Sequence, residues 1–398
     1  MPVMEWCDHR VEFDPAGDLE AFLERVPARW AVYLMVGAAG EPVQLLCVKN
    51  LRASLRRRLG GTETVALSRR VNYREVVRAV CYRRVDSDLE ADWIYLEAAR
   101  QVFPATYQGM VGRRTAWFVH VDPGAEFPRY TKRILDQAAR TGGSASALWI
   151  GPVEDKHAAQ RLIELVEDCF DLCRYHNVLV QAPHGTPCAY KEMGRCAAPC
   201  DGSVSMESYR QAVAHSAAAI VDPQRFLDRQ RHRMAELAAQ LQFEQAARIK
   251  ARIDKASELG RGAFRYARPL AEFSFVSVQR GPRQGTAKVF LIHAGGIEQT
   301  LGLIDAPDEQ CVRSLRQFQT AVDSAAGDAD CAGLVAGHLF SVRRRRGLFI
   351  RISELDRAGL VRAWGELLKQ RPAEQEEGEG LVQELEAVDP TPPQSLPS

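Results

Sequence analysis

The chain has 398 residues, of which 46% are apolar and 26% are charged, and its formal net charge is +1. This composition is typical of globular protein divided into two or three domains, and it excludes a uniformly basic nucleic-acid binder. No run of about 18 uncharged apolar residues is present, and the N-terminus lacks the basic-then-apolar pattern of a signal peptide. We therefore expect a cytoplasmic protein that does not associate with a membrane.

Charge is distributed unevenly along the chain. Residues 43–74 contain eight Lys and Arg residues against the single acid Glu63, and residues 371–398 contain seven acids against Arg371. The small net charge therefore hides a basic face and an acidic tail. Proline, glutamate and glycine dominate from Arg371 onward, and this composition predicts disorder.

The first hundred residues predict a small α/β unit. Apolar residues at helical spacing over 18–26 are followed by two strands, 30–36 and 43–48, that a Gly-containing turn joins. A short basic helix follows over 50–59, with Leu51, Leu55 and Leu59 on one side and arginines on the other. A third strand is expected over 76–85 and a helix over 88–101.

The middle of the chain leads into a segment rich in cysteine. We expect a strand over 114–121, a helix over 127–139, a short strand over 147–151 and an amphipathic helix over 156–172. The following cysteines are spaced C-x14-C-x7-C-x3-C: Cys173, Cys188, Cys196 and Cys200. This stretch has no apolar periodicity, and cysteines in a reducing compartment are thiols or metal ligands. The segment therefore predicts a loop that a bound metal orders. The scattered cysteines are instead predicted to be buried thiols or thiols without a function: Cys7, Cys47, Cys81, Cys311 and Cys331.

Helices dominate the next stretch. Ser205 is expected to cap a helix over 206–218, and Asp222-Pro223 is a second start signal, for a helix over 223–239. A turn near 240–242 leads to a partner helix over 243–259, which completes a helical hairpin. An ordinary hairpin of this sequence would bury its apolar side chains: Leu237, Leu241, Phe243, Ala246, Ala247 and Ile253. An antiparallel meander over 273–279, 287–294 and 299–304 and helices over 309–325 and 353–369 follow.

Two motifs in this order resemble a known family. The run PCAYKEMGRCAAPCDGSVSMESY resembles the cysteine-bearing segment of UvrC, the C subunit of the UvrABC excinuclease, and LQFEQAARIKARI is similar to the UVR motif through which UvrC binds UvrB. The resemblance implies that Cys173, Cys188, Cys196 and Cys200 hold a [4Fe–4S] cluster. Four thiolates suit such a cluster, zinc is the alternative metal, and Cys169 could replace one ligand.

The UVR-like motif implies partner binding. Phe243 would enter a groove of a UvrB-like protein, and Glu244 and Arg248 would supply polar specificity. UVR-like motifs also dimerise, and the small side chains of Ala246 and Ala247 would let two hairpins approach closely.

The N-terminal unit resembles the GIY-YIG nuclease domain with which UvrC makes the 3′ incision. Ala31-Val32-Tyr33 matches the first motif, Lys49-Asn50-Leu51-Arg52 the start of the basic helix, and Leu96-Glu97 the metal-binding glutamate. In this register the second tyrosine is replaced by Gln44 and the catalytic arginine by Ser54. Gln44 cannot act as a phenolate base, and Ser54 cannot offset phosphate charge.

Tyr33 and Glu97 are thus predicted to be remnants that pack or form hydrogen bonds, and a divalent metal such as Mg²⁺ is expected only if the nuclease site is active. Arg56 or Arg57 could substitute for the arginine, but nothing evident replaces Gln44. The residues after Ala325 are too few for the RNase H-like domain that makes the 5′ incision in UvrC. Neither incision is therefore predicted.

The basic arrays have two interpretations. Lys49, Arg52, Arg56, Arg57 and the run 343–346 could contact DNA phosphates without regard to sequence. A solvated surface is the alternative meaning of the same residues.

We therefore predict an α/β protein with a degenerate GIY-YIG-like domain over 1–110 and a linker region with the four-cysteine segment over 111–204. The UVR-bearing helical region follows over 205–262, then an α+β module over 263–370 and a disordered acidic tail over 371–398. The predicted function is UvrC-like, in nucleotide excision repair, with a UvrB-like partner and DNA. The alternatives are an active structure-specific endonuclease and a zinc-binding UVR-type adaptor outside repair.

Overall fold

The structure of the protein is a computed structural model. It describes residues 5–60, 72–112, 114–135, 144, 146–293, 296–303, 307–322, 328–341 and 347–369. Helices surround three antiparallel four-stranded sheets in these ranges, so the predicted mixture of α and β structure is confirmed. No helix in the described ranges is long and apolar enough to cross a membrane. The predictions for the basic run 343–346 and the tail 371–398 lie outside the described residues.

The first sheet belongs to the N-terminal region. Its elements in chain order are β1 (His9–Glu12), α1 (Leu19–Glu24), β2 (Ala31–Val36), β3 (Pro42–Val48), α2 (Leu51–Leu59), α3 (Tyr73–Val76), β4 (Ala79–Arg84) and α4 (Asp88–Val102). The strands run in the order β1-β4-β2-β3, with every pair antiparallel. β1 extends the sheet beyond the three strands that the sequence predicts.

Helices cover both faces of this sheet. Side chains alternate along β2 because successive residues of a strand point to opposite faces. Tyr33 and Met35 pack with α1 and with the leucines of α2. Val32 and Leu34 pack on the other face, with Ile94 of α4. Both faces of β2 are therefore buried, which explains its continuous apolar sequence.

The middle region forms its own sheet and core. Its first elements are α5 (Tyr107–Val111), β5 (Trp117–Val121), β6 (Thr131–Ile134), β7 (Leu148–Val153) and α6 (Lys156–Phe170). The helix expected over 127–139 is wrong where the chain is described. Thr131–Ile134 instead pairs antiparallel with β5, with Trp117 opposite Ile134. Pairing along the edge of β5 outweighs the weak helical pattern of this segment.

The cysteine segment and the helical hairpin follow without a break. The elements are α7 (His176–Leu179), α8 (Ala189–Glu192), α9 (Met206–Val221), α10 (Pro223–Ala239), α11 (Phe243–Ala256) and β8 (Arg268–Pro269). Ser205 caps α9 and Asp222 caps α10, as their positions predict. After the hairpin, β8 returns to pair with β7, so the second sheet has the order β6-β5-β7-β8.

The third sheet contains the predicted meander and an added strand. The elements are β9 (Ser274–Arg280), β10 (Ala287–His293), β11 (Gly296–Leu303), α12 (Glu309–Val322), α13 (Ala329–Phe340), β12 (Gly347–Arg351) and α14 (Arg357–Leu368). The strand order is β11-β10-β9-β12. α13 and β12 were not predicted. α13 is buried on most of its circumference, so its sequence is almost entirely apolar. It therefore lacks the alternation of apolar and polar residues by which a surface helix is recognised.

Charged side chains connect the N-terminal region to the third sheet and to α13. The Lys288 ammonium of β10 lies 2.7 Å from both Asp86 and Glu90. The Arg100 guanidinium of α4 binds Asp328 and Asp330 at the start of α13. Buried polar side chains at these contacts are thus paired across regions that are distant in sequence.

Candidate functional sites

The residues that resemble a GIY-YIG centre form a closed hydrogen-bonded group. Tyr33 is completely buried, and its hydroxyl lies 2.9 Å from the Ser54 hydroxyl. Burial raises the pKa of Tyr33, which keeps the phenol protonated near neutral pH. Gln44, at the position of the second tyrosine, accepts a hydrogen bond of 3.1 Å from Arg58. The group therefore offers neither a phenolate base nor an accessible hydroxyl.

Arg58 also belongs to this group, although the sequence did not single it out as a site residue. It lies four residues after Ser54 on α2, which places both side chains on the same face of the helix. Its guanidinium also approaches the ring of Tyr73, at 5.7 Å from the centroid. Arg56, one of the two predicted substitutes, instead forms hydrogen bonds with Glu20 at 3.0 and 2.5 Å. The i, i+4 spacing from Ser54 is the signal that could have identified Arg58.

Glu97 lies away from this group. Its helix, α4, covers the face of the sheet opposite to the one that buries Tyr33. The Glu97 carboxylate is 3.5 Å from Arg100, and burial together with the nearby Asp328 charge raises its pKa. No hydrogen bond or ion pair joins Tyr33 to Glu97, although both residues are described. The two predicted remnants are therefore not brought together.

The predicted nucleic-acid residues have differing surroundings. The Lys49 ammonium lies over the Trp30 ring, 3.0 Å from its centroid, and 3.9 Å from Asp88. Arg56 is paired with Glu20, whereas Arg57 is exposed on the last turn of α2. Arg52 donates its Nε to the Val26 carbonyl at 3.0 Å, and no described carboxylate forms an ion pair with it. Arg52 thus keeps its outer guanidinium nitrogens available for an anion.

The four predicted ligand cysteines lie in one segment. Cys173 follows α6, and its amide donates to the Tyr209 hydroxyl at 3.2 Å. The Cys173 thiol donates to the Tyr175 carbonyl at 3.5 Å, and the Ala198 amide donates to the Cys196 sulfur at 3.4 Å. Cys200 lies near enough to Cys188 and Cys196 for charge on either to raise its pKa. None of the four is in a disulfide.

The electrostatics distinguish these thiols. The neighbouring Cys173 thiol lowers the pKa of Cys196 to about 6, which favours the thiolate form of this sulfur. The same contact, together with burial, raises the pKa of Cys173. Cys169 lies within the hydrophobic core, and burial raises its pKa to about 11.

The donor set agrees with a thiolate-bound metal or cluster, but its present geometry is not a closed metal site. Four thiols from one segment match the chemistry of iron–sulfur ligation. Among the described residues, no three His, Cys, Asp or Glu side chains are grouped so that they could hold a metal ion. The chemistry of the four thiols is therefore compatible with a metal centre, and the ligand set stays a prediction.

The tip of the hairpin exposes large apolar side chains. Leu241 is 74% exposed and Phe243 is 64% exposed. Glu244, Ala247 and Arg248 are exposed beside them, whereas Ala246 is buried between the helices. An ordinary hairpin was expected to bury Leu241, Phe243 and Ala247, and the structure leaves all three on the surface. The apolar tip is thus not required for packing within the described chain.

The middle of the chain matches a known family model. Residues 117–219 match the middle domain of the UvrC/Cho excinuclease family. This range covers β5 to α9 and includes all four predicted ligand cysteines. This part of the chain is therefore similar to the middle domain of that family.

Curated relatives agree with this result. The chain is 27% identical over 57% of its length to the UvrABC system protein C of Syntrophotalea carbinolica and covers 36% of that protein. It is 25% identical over 61% of its length to the UvrABC system protein C of Moorella thermoacetica and covers 38% of it. The resemblance to the UvrC family is thus confirmed, although the chain spans less than two fifths of the length of these relatives. No solved structure matches the chain.

Proposed function

We propose that the chain acts in nucleotide excision repair as a UvrC-like protein that binds a UvrB-like partner and DNA and does not itself incise DNA. The exposed hairpin tip supports partner binding most directly. Leu241 lies in the turn between α10 and α11 and Phe243 is the first residue of α11, and neither contributes to the core. Exposed aromatic side chains of this kind are typical anchors of protein interfaces.

The expected contribution of the Phe243 ring can be worked from its exposure. Because 64% of Phe243 is exposed, docking can remove roughly 100–150 Å² of apolar surface from water, or about 3 kcal/mol. Phe243→Ala is therefore expected to weaken binding to UvrB about 100-fold. The same change should leave the unfolding transition almost unaltered.

The test is capture of the protein by immobilised UvrB, followed by a titration that measures Kd. Met193→Ala is the matched control, since Met193 is 67% exposed but lies in the cysteine segment. We expect this variant to bind UvrB like the wild type. Equal binding by wild type and Phe243→Ala would remove the hairpin tip from the proposal, and no binding by wild type would reject the partner itself.

The proposed lack of incision rests on the closed group around Tyr33. Its hydroxyl is buried against Ser54, and Glu97 lies with α4 on the opposite face of the sheet. A nuclease centre needs these groups to converge on one phosphate and one metal ion. Incubation with nicked and lesion-containing duplexes in Mg²⁺ is expected to yield no cleavage. Cleavage that disappears in Glu97→Ala would contradict the proposal and favour an active endonuclease.

We further propose that Cys173, Cys188, Cys196 and Cys200 hold a [4Fe–4S] cluster with a structural role. The cluster would supply the cross-links that order a segment whose helices are only one turn long. Anaerobically purified protein is expected to contain iron and sulfide, and Cys196→Ser to lose them. Cys311→Ser, which changes a cysteine of α12, should retain both. Stoichiometric zinc without iron would reject the cluster in favour of a zinc site.

A further inference from the structure

A cavity of about 260 Å³ opens at one end of the N-terminal sheet. It lies where the end of α1 and the first turn of α2 meet the neighbouring strands β1 and β4. Its lining is mostly polar and basic: His9, Glu24, Arg25, Arg52, Tyr82 and Arg84, with Val26 and Pro27. None of these residues belongs to the closed group around Tyr33, so the cavity is a separate feature of the same region.

The three arginines of this cavity lack acidic partners. No described carboxylate forms an ion pair with Arg25, Arg52 or Arg84, although Glu24 is part of the lining. Arg25 and Arg52 are each held by one backbone carbonyl: Arg25 donates to Glu12 at 3.4 Å and Arg52 to Val26 at 3.0 Å. These bonds orient the guanidinium groups and leave other N–H donors for a ligand. The lining thus has three cations and one carboxylate, and the charge of Glu20 outside the lining also acts on Arg52, so the cavity keeps an excess of positive charge.

The remaining polar side chains also favour an anion. Burial raises the pKa of Tyr82, so its hydroxyl stays protonated and can donate a hydrogen bond. The His9 ring stacks on the Tyr82 ring, with centroids 4.9 Å apart. A guanidinium group presents its donors in a planar fork that matches the oxygens of a phosphate. The chemistry that this cavity would recognise is therefore a phosphate group.

We propose that this cavity binds a backbone phosphate of a nucleic acid. Its mouth is on the surface, since His9, Arg25 and Arg84 are exposed. It also adjoins α2, on which Arg57 is exposed beyond Arg52 and Arg56 forms an ion pair with Glu20. A polymer with repeating phosphates can occupy the cavity and continue along this helix, whereas a free phosphate ion would use the cavity alone. The inference rests on the proposed binding of DNA and assigns it a location.

The test compares two double variants of the full chain. Arg25→Gln/Arg84→Gln removes two arginines of the cavity but keeps Arg52, and Arg231→Gln/Arg233→Gln is the matched control. Arg231 and Arg233 are exposed on α10 and form ion pairs with Asp228 and Glu236. Binding to a fluorescein-labelled duplex is followed by anisotropy over a series of NaCl concentrations, after circular dichroism has shown that both variants are folded.

We expect the cavity variant to bind the duplex about tenfold more weakly than the wild type at physiological salt. The slope of the logarithm of the association constant against log[salt] should be smaller in magnitude by about 2. The control variant should match the wild type in both quantities. An unchanged affinity and slope in the cavity variant, or no duplex binding by wild type, would overturn the proposal.

Two further arms separate related outcomes. In the first arm, inorganic phosphate is added alone and the thermal stability of both proteins is measured. If phosphate stabilises the wild type but not the cavity variant, and both bind the duplex equally, the ligand of the cavity is a free phosphate ion and not a nucleic acid. UvrB capture is measured on the same variants and is expected to be unchanged. Loss of DNA binding with intact UvrB capture would confirm the cavity as the site. If the wild type fails to bind UvrB, the proposed partner is wrong, and the cavity proposal is then decided by the DNA titration alone.

Discussion

Lys288→Met tests whether buried charges hold the N-terminal region against the third sheet. The Lys288 ammonium is 2.7 Å from Asp86 and from Glu90, and the Glu90 side chain is only 1% exposed. Removal of the lysine leaves the buried Glu90 carboxylate without its cation, and Asp86 keeps the contact of 3.8 Å with Arg29. Loss of one partner from a buried ion pair costs about 3–5 kcal/mol. We expect a decrease of this size in the free energy of unfolding at pH 7, measured by urea denaturation.

The pH dependence follows from Glu90. Burial raises the pKa of Glu90 above its ordinary value, and the Lys288 charge opposes that rise. Without Lys288 the folded-state pKa rises further, so the folded variant binds a proton more tightly than its unfolded chain. Its stability therefore increases as the pH falls from the folded-state pKa towards the ordinary value of a glutamate. The difference between variant and wild type should be smaller at pH 5 than at pH 7.

Lys255→Met is the matched control for this experiment. Lys255 lies 3.0 Å from Asp168, but the two side chains are 46% and 30% exposed. An exposed pair of this kind contributes about 0.2–1 kcal/mol. A loss in Lys288→Met no greater than in Lys255→Met would refute the role of the buried cluster. An equal loss at pH 5 and pH 7 would refute Glu90 as the group responsible.

Two further stability predictions follow from hydrogen-bonded side chains. Arg100→Gln removes the hydrogen bonds to Asp328 and Asp330 and should cost about 2–3 kcal/mol in urea denaturation. Burial opposes ionisation of Asp328, but the hydrogen bonds from Arg100 outweigh burial and lower the pKa of Asp328. The stability lost in Arg100→Gln should therefore become smaller as the pH falls and Asp328 is protonated. A loss of stability that does not change with pH would contradict this mechanism. Tyr130→Phe removes the buried 2.7 Å contact with Ser216 and should cost about 1 kcal/mol. The exposed Tyr175→Phe is its control, and equal stability of the two variants would show that the Ser216 contact contributes nothing.

Local patterns predicted the elements that carry their own signal. The side-chain caps at Ser205 and Asp222 and the leucines of α2 gave boundaries that the structure confirms within a few residues. The antiparallel meander β9 to β11 was also predicted, since its alternating apolar residues are punctuated by glycine. These elements depend on residues that are close in sequence.

Elements that depend on distant contacts were missed. β1 contains the single buried residue Val11 and is a strand because it pairs with β4. β6 has two exposed residues among four and is likewise determined by its neighbour β5. The site predictions had the same limitation. Ser54 and Gln44 could be recognised as departures from a motif, but only the fold shows that Arg58 approaches Gln44.

The charged side chains of α4 contact parts of the chain that are distant in sequence. The resemblance assigns it a metal-binding glutamate, yet its charged side chains here contact the C-terminal part of the chain. Glu90 binds Lys288, Asp92 accepts hydrogen bonds from Arg114 and His338, and Arg100 binds Asp328. A cation at Glu97 would compete with Arg100 for the same carboxylate. Separation of α4 from its partners would break these ion pairs, which therefore favour the observed position of the helix.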